Sequence, residues 1–79
     1  MSAEAEKEIL NILKKAIAEE AMAENLYRRG VEIAMRPEVK DIFSKLADEE
    51  KKHAAILRDL YHDYKKTLGL KILNEDEKD

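Results

Sequence analysis

Residues 48–55 read Asp48-Glu49-Glu50-Lys51-Lys52-His53-Ala54-Ala55, and the placing of Glu50 and His53 in that run decides how the chain is understood. Three residues apart, they share one face of an α-helix and can close on a single ion. Stepping through the segment by alternate fours and threes gives Val39, Phe43, Leu46, Glu50, His53, Leu57, Leu60 and Tyr64. A carboxylate and an imidazole thus interrupt a seam that a helix needs to bury. An unpaired carboxylate there costs on the order of several kcal/mol or gives up its charge, so something must compensate it.

The upstream stretch has a seam of its own: Ile9, Leu13, Ala16, Glu20, Ala23, Tyr27, Gly30 and Ala34. Here too a carboxylate stands where an apolar residue belongs, and small alanines leave room around it. If the chain reverses near Arg36-Pro37, Glu20 lies ~24 Å back along the first helix, at ~1.5 Å per residue. Glu50 and His53 then lie ~20 to 24 Å along the second. The three come out level, which favours one metal site over two unrelated buried charges.

The chain has 79 residues, enough for one small unit and no second domain. It is 42% charged and 44% hydrophobic, with two Gly, one Pro, one Phe and no Trp. That balance points to long amphipathic helices, giving an all-α fold: an antiparallel two-helix hairpin. A hairpin of this size encloses no core, since each helix is covered along one seam only, so self-association is expected. Cysteine is absent, which removes disulfides and thiolate metal sites. No apolar run approaches a membrane span and no signal peptide is evident, so a soluble, cytoplasmic protein is expected. The net charge of -3 and the interleaving of Lys and Arg with acids argue against nucleic acid as a partner.

Taken in order, Ser2 is placed to cap the first helix, with Glu4 and Glu6 at the positive end of its dipole. Gly30, on the seam, suggests close backbone approach by a neighbour. Arg28, Arg29 and Arg36 gather toward the negative end. Pro37 is suited to be the first residue of the second helix, and Gly69 to cap its end. Residues 1-69 therefore read as the hairpin and 70-79 as a short extension, partly disordered, in which Leu70 to Leu73 are either an extra turn or a docking peptide.

One hairpin supplies two carboxylates and one imidazole, half of what a di-iron or di-manganese carboxylate bundle needs. Two copies related by a two-fold axis complete the set, each giving Glu20, Glu50 and His53. Metal binding and dimerisation would then be linked. Carboxylates with imidazole suit iron, leaving positions for water and dioxygen.

Ala16, Glu20, Ala23 and Tyr27, followed by Pro37-Glu38, Phe43, Leu46-Ala47 and the run from Asp48 to Ala55, resemble the rubrerythrin branch of the ferritin-like superfamily over roughly residues 9 to 64. Within that branch the chain is most similar to the encapsulated ferritins, single hairpins whose two metal-binding Glu positions have the spacing of Glu20 and Glu50. The resemblance implies a ferritin-like four-helix bundle formed by dimerisation and a ferroxidase oxidising Fe(II) with dioxygen at an inter-subunit di-iron site. It also implies dimers assembled into a ring such as a decamer, with an encapsulin shell as partner and compartment. The Cys-rich electron-transfer domain of full-length rubrerythrins has no counterpart here.

Two other readings stand beside this one: a rubrerythrin-like peroxide scavenger on the same ligands, and a non-catalytic helical module whose polar seam residues fix register. Tyr27, two turns from Glu20, is either a donor to a ligand carboxylate, with a part in catalysis, or a core residue with a satisfied hydroxyl. Glu19, Glu24 and Glu49 read as surface charges, His62 as exposed, Tyr61 and Tyr64 as contacts between hairpins, and Met22 and Met35 as packing residues.

Overall fold

The computed structural model describes the backbone of residues 3–77 and the side chains of residues 3–69. Ser2, expected as a cap, and the side chains of Leu70 to Leu73 lie outside the described residues. Two helices make up the chain, α1 over Ala3–Ile33 and α2 over Pro37–Glu77. They lie antiparallel in a rod of 64 × 16 × 16 Å.

The reversal follows from local chemistry. The Ala34 N–H donates to Gly30 O at 2.9 Å, closing the last turn of α1. Arg36, preceding a proline, is kept out of the helical region, and Pro37 starts α2 at the one position where its missing N–H goes unused. The Arg36 carbonyl then accepts from Val39 and Lys40 at 3.0 and 3.1 Å. Lys40 reaches back, its Nζ donating to Val31 O at 2.8 Å, and so satisfies a carbonyl near the end of α1.

The seam of α1 is the one its sequence shows: Leu13 and Gly30 are buried, and Ile9, Ala16, Glu20, Ala23, Tyr27 and Ala34 are half-buried. In α2 the contact is turned by one residue from the expected line. Ala47, Ala54 and Leu68 are its buried positions, with Phe43, Glu50, Leu57, Tyr61 and Tyr64 half-buried. Leu46, His53 and Leu60, expected on the seam, are 37%, 51% and 48% exposed. The cause is size: with alanine at 47 and 54, the α2 backbone approaches α1 more closely than leucine at 46 and 60 would allow. Tyr61 and Tyr64 are half-buried, and Met22 and Met35 are exposed, unlike the packing role expected of them.

Close approach recurs near the turn. A Cβ built on Gly30 would stand 2.7 Å from Phe43 Cδ2 and 2.8 Å from two further ring atoms, so the Phe43 ring lies directly on the glycine. Gly69 has no such neighbour and does not end the helix; α2 passes through it without positive φ and continues to Glu77. Here the flanking Leu, Lys and Ile favour helix strongly enough to carry a glycine.

The hairpin leaves much carbon uncovered. Of its buried apolar side chains Ala47 alone has no exposure, while Ile12, Leu26, Ile33, Ile42, Ile56 and others are more than half exposed. By helical phase, Ile12, Leu26 and Ile33 of α1 lie on the same side of the rod as Leu46, His53 and Leu60 of α2. One broad face is thus apolar, and the opposite face carries Arg28, Lys40 and Asp48.

The two glycines should respond oppositely to alanine. Gly30→Ala is expected to lose about 1–3 kcal/mol by driving the Phe43 ring aside, despite a helix-propensity gain of up to ~1 kcal/mol. Gly69→Ala has open space and is expected to gain about 0.5–1 kcal/mol. Urea unfolding of the two variants measures both signs, and a stabilised Gly30→Ala would refute the ring contact.

Candidate metal centre

Alanine spacing positions the site. Ala47 and Ala54 lie three and four residues to either side of Glu50, so the point of closest helix approach carries the Glu50 carboxylate in with it. On α1, Glu20 stands between Ala16 and Ala23, which leave its side chain room beside α2. His53, one turn beyond Glu50, faces the edge of the apolar side.

Glu20, Glu50 and His53 each offer one ligand atom, and these atoms all lie within 4.8 Å of one another. Among the described residues this is the one group of three or more acidic or imidazole side chains so gathered. His53 Nδ1 is 3.7 Å from Glu20 Oε2, too long for a hydrogen bond but within ion-pair distance. Glu20 Oε2 is inaccessible to solvent and has no hydrogen-bond donor. A buried carboxylate oxygen without a donor needs a cation.

The donor set fits iron or manganese. Two carboxylates and an imidazole are hard to borderline ligands, and three protein donors leave positions open on an octahedral ion. His53 is more exposed than the two glutamates, so the centre opens onto the uncovered apolar face.

The sequence leaves Tyr27 either a donor to a ligand carboxylate or a core residue. Its ring stacks on Phe43, with centroids 6.3 Å apart and planes at 26°. No hydrogen bond joins its hydroxyl to Glu20 or Glu50 among the described residues. The ring's company with Phe43 places Tyr27 on the turn side of the centre, where it lines an apolar hollow.

Two features were not read from the sequence. Glu49 Oε2 lies 3.9 Å from His53 Nε2, so the imidazole stands between two carboxylates; the i,i+4 spacing was the available signal. Arg28 bridges the helices, giving Nη2 to Glu24 Oε2 at 3.2 Å and to Asp48 Oδ1 at 3.1 Å. The hydrogen bond to Asp48, foremost, raises the pKa of Arg28, with Glu24 adding to it. This tie lies on the polar face, on the turn side of the ligands, and joins the two helices there. Glu24, expected as a free surface charge, is one of its members.

Among protein-family models, the one described as Rubrerythrin matches residues 11–79. No curated protein and no solved structure matches the chain. The matched span contains both helices' ligand positions.

A buried, donorless oxygen makes a testable difference without metal. Glu20→Leu should raise the stability of the metal-free protein by about 1 kcal/mol or more, and should abolish the rise in Tm that Mn(II) gives the parent. Differential scanning calorimetry with and without Mn(II) reads both effects. A destabilised metal-free variant would show that Glu20 is compensated within the hairpin.

Proposed function

The chain belongs to the rubrerythrin family, whose domain is that of a di-iron, ferritin-like protein, and on that footing we propose that it is a ferroxidase whose centre is shared by two copies. The observation that supports this reading is the convergence of Glu20, Glu50 and His53 within 4.8 Å at the edge of an uncovered apolar face. One hairpin holds half a di-iron ligand set. The polar half-site and the unburied carbon have one common remedy, a second hairpin laid on that face.

Each side chain has a distinct part. Glu20 offers an oxygen that no protein donor occupies. Glu50, nearest the point of helix approach, would be the carboxylate shared between ions contributed to by two copies. His53 binds through one nitrogen while the other lies toward a carboxylate, Glu20 or Glu49, that orients the ring. Fe(II) is the substrate: two ions would each give up one electron, and dioxygen would take the pair together with two protons from solvent to leave hydrogen peroxide. Tyr27, expected to have a catalytic part, makes no hydrogen bond to these ligands, and its ring packs on Phe43.

The finer parts of the proposal draw on likeness to the encapsulated ferritins: association of dimers into a ring such as a decamer, and delivery of ferric iron inside an encapsulin shell. No helix among the described residues is long and apolar enough to cross a membrane, which accords with an enzyme of the cytoplasm or of such a shell.

Aerobic addition of Fe(II) to the metal-free protein, followed by ferric absorbance in the near ultraviolet, tests the activity. Glu20→Ala, Glu50→Ala and His53→Ala are each expected to lower the rate by about a hundredfold, the scale of lost ligand groups. A triple variant as fast as the parent would place catalysis elsewhere. A strong preference for hydrogen peroxide over dioxygen would make the protein a peroxide scavenger on the same ligands.

A further inference from the structure

Burial in the hairpin recurs at multiples of seven residues, at Glu6 and Leu13 of α1 and at Ala47, Ala54 and Leu68 of α2. The helices therefore coil about each other, and residues seven apart stay on one side of the rod. Arg28 with its partners Glu24 and Asp48 marks the polar side. Stepping back by sevens from Arg28 gives Ala21, Lys14 and Lys7, and from Glu24 gives Ile17 and Leu10. Stepping forward from Asp48 gives Ala55, His62 and Gly69. Between that row and the buried alanines run Lys51, Arg58 and Lys65.

From the height of the metal ligands to the open end, these rows hold Lys7, Lys14, Lys51, Arg58 and Lys65 and no acid. All five cations are exposed, and among the described residues none is in an ion pair. Only Lys65 has a neighbour for its charge, the Tyr61 ring, whose centroid is 5.9 Å from Nζ. Along the sequence these cations alternate with acids; the fold sorts them onto one surface of a chain whose net charge is -3.

The cations form two lines at matching heights. Lys14 lies six residues from Glu20 and Arg58 five from His53, so both stand ~8–9 Å toward the open end, at ~1.5 Å per residue. Lys7 and Lys65, thirteen and twelve residues away, both stand at ~18–20 Å. In the groove between the lines are Leu10 and Ile17, half-buried. Successive cations on each helix are ~10.5 Å apart, the interval at which an α-helix repeats one face every seven residues. The phosphates of a nucleic acid strand follow at ~3.4 Å of axis and gain nothing from an apolar floor. Nor do these rows carry an exposed Phe, Tyr or Trp on which bases would stack.

We propose that this groove docks an acidic, amphipathic α-helix of another protein. The apolar stripe of that helix lies on Leu10 and Ile17, and its carboxylates face Lys7 and Lys14 on one side and Lys51, Arg58 and Lys65 on the other. An apolar stripe flanked by charges is the pattern by which packed helices choose their partners. The metal ligands and the apolar face take no part in this docking.

The probe is a fluorescein-labelled peptide of roughly three heptads, with leucine at the first and fourth positions of each and glutamate beside them. By fluorescence anisotropy at low salt it should bind at least about tenfold tighter than a peptide of the same composition in scrambled order. The double variant Lys14→Glu with Arg58→Glu alters two exposed side chains and should keep the helical circular dichroism. It should bind the acidic peptide at least about tenfold more weakly than the parent does, and should bind a peptide with lysine in place of each glutamate about tenfold better.

Equal binding of the scrambled peptide, or of a DNA single strand of about 20 nucleotides, would overturn the helical partner in favour of attraction for any polyanion. No binding of the acidic peptide at low salt would overturn the docking surface itself. If native mass spectrometry showed the parent associating with itself, and the double variant not, the groove would belong to a second copy and the proposal would fail.

Discussion

A carboxylate oxygen held between two helices with nothing to donate to it is the constraint on which the rest of this structure depends. Glu20 Oε2 is shut off from water by the approach of α2, and that approach is imposed by alanines at 47 and 54. The same contact that stabilises the hairpin therefore creates a group that the hairpin cannot satisfy. A cation would resolve it, and the neighbouring Glu50 and His53 offer further donors at the same height. Metal binding at such a group would be linked to folding, because the ligands are gathered only by the native packing.

The two faces of the rod divide the work. On the polar face Arg28 joins Glu24 and Asp48, and Lys40 joins the end of α1. Exposed ion pairs of this kind contribute little stability individually, and their use is in holding one helix level with the other. On the apolar face the side chains are large and uncovered, and the ligand His53 lies at its margin. Each fully buried Leu, Ile or Met is worth about 1.5–3 kcal/mol relative to exposure. A hairpin with few buried side chains has its greatest available stabilisation on that face.

The position of His53 connects the two matters. A histidine pointing into the seam between α1 and α2 would complete a centre enclosed by one hairpin. Turned outward by one helical position, it stands with Glu20 and Glu50 at the edge of the hairpin's surface. The one-residue rotation of α2 that left Leu46 and Leu60 outside is thus the feature that sets His53 at the margin of the apolar face.

Several parts of this were legible in the residues themselves. Apolar spacing gave two helices, the Arg36-Pro37 pair gave the reversal, and counting from it set Glu20, Glu50 and His53 at one height; helical rise is fixed per residue, so axial position can be computed without tertiary information. Gly30 on the seam likewise pointed to the close neighbour that proved to be Phe43. Rotation about the helix axis is different, because in α2 the series through Leu46, His53 and Leu60 and the series through Ala47, Ala54 and Tyr61 are both consistent with burial. Only packing chose between them, through the closer contact that a methyl group permits. The tertiary structure alone also decided that α2 runs past Gly69, that Arg28 ties the helices, and that Tyr27 lies on Phe43. These depend on which surfaces meet, a quantity that spacing along one chain does not contain.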